Sequence, residues 1–147
     1  MLSIAFTFII GQADLGTVAA PYQHTGSFTF DGDTRTRGAS VFDSYACAPS
    51  KPERGPEYVF RVEVLEPSDI DVLVEDATDV DIDVHLLSSL SRAGTSASDC
   101  IMRADIDTTA FHVAAGTYYV VADTYGTSAA KAGPFRLFVR VYPTASV

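Results

Sequence analysis

Apolar and polar residues alternate along most of this chain, in runs of strand length. In EYVFRVEVL, Tyr58, Phe60, Val62 and Val64 share one face, with Arg61 and Glu63 on the other. DIDVLVE puts Ile70, Val72 and Val74 in phase, and VDIDVHLL does the same for Val80, Ile82, Val84 and Leu86. TYYVVADTY is rich in the aromatic and β-branched side chains that suit a pleated surface. PFRLFVRVY turns Phe135, Leu137, Val139 and Val141 inward and Arg136 and Arg140 outward. Successive side chains of a strand point to opposite faces, so a period of two predicts half-buried strands at each place. Weaker signals predict strands at 27–30, 40–45, 100–104 and 110–113. Turn chemistry separates them at Asp31-Gly32-Asp33, Arg54-Gly55-Pro56, Glu66-Pro67-Ser68, Ala115-Gly116 and Gly133-Pro134. Segments 48–56, 88–98 and 127–133 read as loops, and no stretch keeps a helical period. About eight short strands without helical crossovers predict an all-β, antiparallel β-sandwich. Its core should contain Val80, Ile82, Val84 and Leu86 against Phe60, Val62, Tyr118, Val120, Leu137 and Val139.

Length and charge narrow the function. The chain has 147 residues, the size of one domain with a real core. Ten Lys and Arg face 19 Asp and Glu, a net charge of −9. Without a basic cluster, nucleic acid and anionic membrane surfaces are poor partners, and neither nucleic-acid binding nor membrane insertion is expected. The apolar run from Leu2 to Ile10 has the length of a signal-peptide core, and Gly11-Gln12-Ala13 supplies small residues for cleavage. Residues 1–13 therefore read as a signal peptide, with a buried first strand as the alternative. Residues 14–25 read as a linker, 26–142 as one β-sandwich domain and 143–147 as a tail. The run is too short to span a membrane. The expected location is secreted or periplasmic. An exported chain with only two cysteines most simply joins them, which predicts a Cys47–Cys100 disulfide; in a cytosolic chain they would be two buried thiols.

One stretch raises a question of chemistry. TDVDIDVH sets Asp79, Asp81 and Asp83 in a row, roughly 7 Å apart in an extended strand, with His85 next in line. Like charges in a row repel, so something should offset them. Arginines on outward faces are one answer: Arg61, Arg103, Arg136 or Arg140. Calcium is the other, with Asp81 and Asp83 joined by a further ligand such as Asp123. Side chains of one flat strand diverge too far to wrap an ion, so arginine pairing with a solvent-facing row is the preferred reading. No cofactor is expected, calcium being the one possibility. Catalysis finds no footing. There is no G-x-S-x-G elbow and no H-E-x-x-H, and His24, His85 and His112 fall in no nucleophile-base pattern. The chain also lacks the Trp that commonly stacks sugars in glycosidases. The expectation is a non-enzyme with no catalytic residues.

Three stretches in one order resemble a known family. GPEYVFRVEV (55–64), VDIDVHLL (80–87) and AAGTYYVVADTYG (114–126) followed by GPFRLFVRV (133–141) resemble bacterial pre-peptidase C-terminal (PPC) domains. That resemblance spans roughly residues 26–141. It implies a jelly-roll-like sandwich that accompanies secreted enzymes, often proteases, as an accessory module. Relatives in clostridial collagenases bind collagen and calcium, with calcium ligands largely in a linker before the first strand. Here that segment, GQADLGTVAAPYQH, offers only Asp14 as a carboxylate, so the site does not carry over.

The sequence thus supports a secreted, non-catalytic β-sandwich for binding or envelope association. Candidate contacts are Tyr119, Tyr125 and Tyr142, with Phe138, since Tyr presents a flat apolar body and a polar tip. Expected partners are a protein or polysaccharide polymer, or a secreted hydrolase. The alternative is a structural or maturation-assisting domain for a separately encoded secreted hydrolase, or a calcium-stabilised module.

Overall fold

The structure is a computed structural model and describes residues 15–37 and 40–144. The segment read as a signal peptide lies outside the described residues. Twelve strands run in order: β1 (Tyr22–Thr25), β2 (Phe28–Asp33), β3 (Ser44–Tyr45), β4 (Glu57–Val64), β5 (Ser68–Asp76), β6 (Ile82–Leu87), β7 (Arg92–Ala93), β8 (Ser96–Ala97), β9 (Cys100–Ala104), β10 (Asp107–Val113), β11 (Gly116–Thr124) and β12 (Pro134–Pro143). A single 3₁₀ turn, Thr34–Thr36, follows β2, capped by the Asp33 side chain. The described residues contain no helix long and apolar enough to cross a membrane.

Two sheets form the sandwich, a five-stranded one (β1-β4-β11-β6-β9) and a four-stranded one (β10-β5-β12-β2). The chain changes sheet at β4–β5–β6 and again at β9–β10–β11–β12, so consecutive strands face each other across the core. The period-two phase holds. Tyr58, Phe60, Val62, Ile82, Val84, Leu86 and Val120 of one sheet pack on Ile70, Val72, Val74, Phe135, Leu137 and Val139 of the other. Val80 and Tyr118 join this core at its edge, partly buried. Burying each large apolar side chain contributes roughly 2 kcal/mol. A one-residue slip would turn the whole set outward, so this face fixes the register. The ring of Phe30 meets Phe60 edge-on at 4.9 Å, closing the end near β2.

Four local expectations are corrected. First, the pairing is not wholly antiparallel: β1 runs parallel to β4, inside the stretch read as a linker. Second, Asp31-Gly32-Asp33 is no turn but the end of β2, paired with β12. A Cβ on Gly32 would lie 2.8 Å from the Phe30 ring and 2.9 Å from the Phe135 ring, so close approach rather than turning explains this glycine. Third, only Ser44–Tyr45 of 40–45 is a strand, and segment 88–98 contains β7 and β8. These three two-residue strands form a small separate sheet, β3-β8-β7.

The fourth correction matters most. Around Val59, Leu87 and Val121 the outer face of the five-stranded sheet does not face water, although Arg61 and Glu63 of the same face stay partly exposed. The small sheet and the segment around it lie over that face. They bury a second apolar cluster of Phe42, Tyr45, Val59, Leu87, Ala97 and Val121. Cys47 and Cys100 are joined, with Cα atoms 5.3 Å apart, and tie this cover to β9. Backbone bonds clamp its far end: Arg54 N–H to Gly126 O at 2.8 Å and Gly126 N–H to Pro52 O at 2.9 Å.

Candidate functional site

Two regions carry chemistry: the uncovered face of the four-stranded sheet and the polar cluster beneath the cover. On the first, register aligns outward side chains in rows. Phe138 lies opposite Leu73, Arg140 opposite Asp71, and Tyr142 opposite Asp69. A bulge in β10 sets both Phe111 and His112 opposite this last row. His112 takes a left-handed φ of 53°, and its N–H donates to the Asp69 carboxylate at 2.9 Å. That geometry pushes Phe111 into solvent, 70% exposed, across β5 from Tyr142 at 52%. Arg140 lies over the Phe138 ring at 5.6 Å, and Arg136 pairs with Asp31 at 2.6 Å. The result is an apolar strip of Phe111, Tyr142, Phe138 and Leu73 interleaved with charges of both signs. A shallow hollow of about 420 Å³, bounded by Asp31, Glu75 and Arg136, ends the same face.

The second region answers the question of the aspartate row. Asp79 is not in the strand; it sits in the turn before β6, exposed, with φ 65°. Asp81 is half-buried, while Asp83 and His85 have no exposure at all. The expected solvent-facing row is therefore wrong for Asp83 and His85, because the cover lies over them. Arg103 of β9 binds the Asp83 carboxylate. The other arginines are engaged elsewhere, Arg61 with Glu63 and Arg136 with Asp31.

Under the cover the His85 ring stacks on Tyr45, centroids 3.5 Å apart. Its Nδ1 lies 3.3 Å from Val121 O and its Nε2 2.8 Å from Glu53 Oε2. A carbonyl only accepts, so Nδ1 carries the proton. Nε2 of the neutral ring then accepts from the Glu53 carboxyl. Burial favours this neutral arrangement: it raises Glu53 to about 7 and lowers His85 to about 3. Burial, reinforced by Glu53, likewise raises Asp83 to about 8. Tyr45 O–H donates to Asp123 Oδ2 at 2.6 Å, and burial pushes both groups well up. Glu57 Oε1 accepts from Phe42 N–H at 3.0 Å, Ser40 O–H at 3.1 Å and Val41 N–H at 3.2 Å. Groups sealed this way touch no substrate; they pin the cover to the sheet.

The cluster opens to solvent at a pocket beside Asp83. This pocket of about 270 Å³ is lined by Asp81, Asp83, Asp105, Arg103, Lys51 and Tyr125. One carboxylate oxygen from each of Asp81, Asp83 and Asp105 lies within 4.8 Å of the others. Of the three metal candidates read from sequence, Asp81 and Asp83 are together here. Asp123 is cross-strand from Asp83 but is spent on Tyr45. Asp105 was not foreseen; it follows β9, where the ladder His85↔Arg103, Val84↔Ala104 carries it toward Asp83. The candidate tyrosines do not share a face. Tyr119 packs on the second apolar cluster, Tyr125 lines the acid pocket, and Tyr142 stands on the uncovered sheet.

No protein-family model matches the chain, and no curated protein matches it. Among solved structures, PliG of Aeromonas hydrophila, a periplasmic lysozyme inhibitor of g-type lysozyme, shares the fold. It is 12% identical with a TM-score of 0.52, over 82% of this chain and 97% of that one. The pre-peptidase C-terminal domain of collagenase from Bacillus anthracis is similar to the same degree. It is 14% identical with a TM-score of 0.51, over 81% of this chain and 93% of that one. At such identities the likeness is one of backbone arrangement, and it agrees with the PPC-like order of motifs.

Proposed function

We propose that this chain is a non-catalytic β-sandwich module that works outside the cytoplasm by binding a protein through the uncovered face of its four-stranded sheet. The observation that carries this reading is the strip of Phe111, Tyr142, Phe138 and Leu73 set among Asp69, Asp71, Arg140 and Arg136. Aromatic and Arg side chains dominate the energetics of protein interfaces, and on this face they alternate with carboxylates that can pair with a partner's polar groups. Charges of both signs fit a folded protein surface better than a neutral glycan. The disulfide fits an oxidising compartment. The lysozyme inhibitor with this fold makes a glycan hydrolase the first partner to try. The PPC-like neighbour favours a second reading, a maturation or stability module for a secreted hydrolase.

The test pairs wild type with a Phe111→Ser/Tyr142→Ser variant. Each is measured by biolayer interferometry against g-type lysozyme, and against any secreted protein captured by wild type and then purified. Losing two aromatic anchors should weaken binding at least tenfold. Both side chains are exposed, so the melting temperature should hold. Equal affinity of the two forms for the same purified partner overturns this assignment, as does binding to glycan polymers alone.

A further inference from the structure

We infer that the pocket between Asp81, Asp83 and Asp105 is a binding site for a divalent cation of the calcium class. It lies on the other sheet from the protein-binding face, so the two proposals stand or fall separately.

The three carboxylates graduate from depth to surface: Asp83 buried, Asp81 half-buried, Asp105 exposed. Their oxygens fall within 4.8 Å of one another, a span that one calcium ion bridges, since its ligands sit at about 2.4 Å. Magnesium demands a stricter octahedron at about 2.0–2.1 Å, whereas calcium tolerates the irregular ligand set of a strand and a loop. Arg103 takes only Oδ2 of Asp83. Oδ1 is buried without a hydrogen-bond partner, and a buried carboxylate oxygen left bare is costly. A cation at the base of this pocket would supply the missing partner.

Charge points the same way. Asp81, Asp83, Asp105 and Glu53 gather around Arg103, whose Nε is 3.7 Å from Glu53. Lys51 is the other cation on the wall, and it is exposed at the mouth. With Glu53 holding its proton against His85, Asp81, Asp83 and Asp105 face Arg103 and Lys51, three acidic groups to two basic ones, which leaves the pocket without surplus positive charge to repel a cation. The volume of about 270 Å³ admits an ion with several waters, which completes the six to eight oxygens calcium prefers.

Terbium gives a direct probe. The chain has seven tyrosines and no tryptophan, and Tyr125 lines the pocket. Excitation of tyrosine should therefore sensitise bound Tb³⁺, and added Ca²⁺ should quench that emission by displacement. At a hundredfold excess over Kd, calcium should raise the melting temperature by about 5–10 °C relative to chelator. Asp105→Asn, at an exposed position, should fold normally and weaken Tb³⁺ and Ca²⁺ binding at least tenfold, as should Asp81→Asn. Asp31→Asn, on the opposite sheet, should leave both unchanged. Absence of sensitised emission and of a thermal shift at millimolar calcium overturns the inference. So does a shift that survives intact in both pocket variants, which would place the ion elsewhere.

Discussion

Glu57 offers the sharpest test of how the cover is held. Two effects oppose each other at its carboxyl. Three donors, from Ser40, Val41 and Phe42, favour the charged form, while burial at 6% exposure disfavours it. Nearby Asp43 adds repulsion, and Asp123, opposite on β11, and Tyr45 also face this carboxyl. Burial wins, and the folded-state value rises from 4.5 to about 7. The folded protein then keeps a proton that the unfolded chain releases between those values. Stability from this group is present below pH 4.5 and is lost as pH rises toward 7. The loss between pH 4.5 and pH 8 amounts to about 3 kcal/mol.

Glu57→Gln removes that titration. The amide oxygen can still accept from Val41 and Phe42. The amide nitrogen replaces Oε2, which is buried without a partner, at a constant cost of about 1–3 kcal/mol. The variant should thus be less stable than wild type near pH 4.5 and equal or more stable at pH 8. Urea unfolding at several pH values reads the difference, and slopes cancel for every group that does not interact with Glu57, leaving its own titration and the smaller coupled changes at Asp43 and Asp123. A stability difference that does not change with pH would refute the reasoning. A variant that loses further ground at high pH would show that the three donors, not burial, decide the charge.

Other outcomes follow from the same packing. Ile82→Ala, fully buried between the sheets, should cost about 2–4 kcal/mol by urea unfolding, and a loss near zero would contradict the phase of β6. Cys47→Ser/Cys100→Ser opens a loop of 53-residue separation and should cost about 2–4 kcal/mol, with faster amide exchange in 40–56 by mass spectrometry. Tyr45→Phe leaves the buried Asp123 without its donor and should lower stability by about 1–3 kcal/mol, detectable as a lower melting temperature.

The sandwich was legible because the periodicity reports one buried face per strand, and the residues from Tyr58 to Val64 or Phe135 to Val141 carry that signal in full. Asp83 and His85 mislead for the same reason. Period two says which side chains share a face, and the polar set is then assigned to water by default. That default fails where another part of the chain covers the second face, and nothing within VDIDVHLL records what lies over it. The covering pieces looked like loops: their strands are two residues long and their burial comes from single anchors, Phe42, Tyr45 and Glu53. Val59, Leu87 and Val121 were the available hint, apolar residues at positions whose strand-mates point outward. Each lies in a strand that is apolar on both faces at that point, which a half-wet strand does not need.

Asp105 shows the remaining limit, which is register. It comes near Asp83 only through the ladder between β6 and β9, set by Val84↔Ala104 and His85↔Arg103, across a connection of twelve residues. Local sequence does not encode such a pairing; the disulfide beside it and the cover above it do. The same fold therefore gives the chain two unlike faces from one alternating pattern. One is largely covered, with Glu53, Asp83 and Asp123 buried beneath the cover and a pocket at Asp81, Asp83 and Asp105. The other is open, with Phe111 and Tyr142 left in water at a cost that a bound protein would remove. A stable core needs neither exposed aromatic, and what sets these two apart from exposed aliphatics such as Leu65 is that the β5 register aligns both with Asp69 on one sheet face.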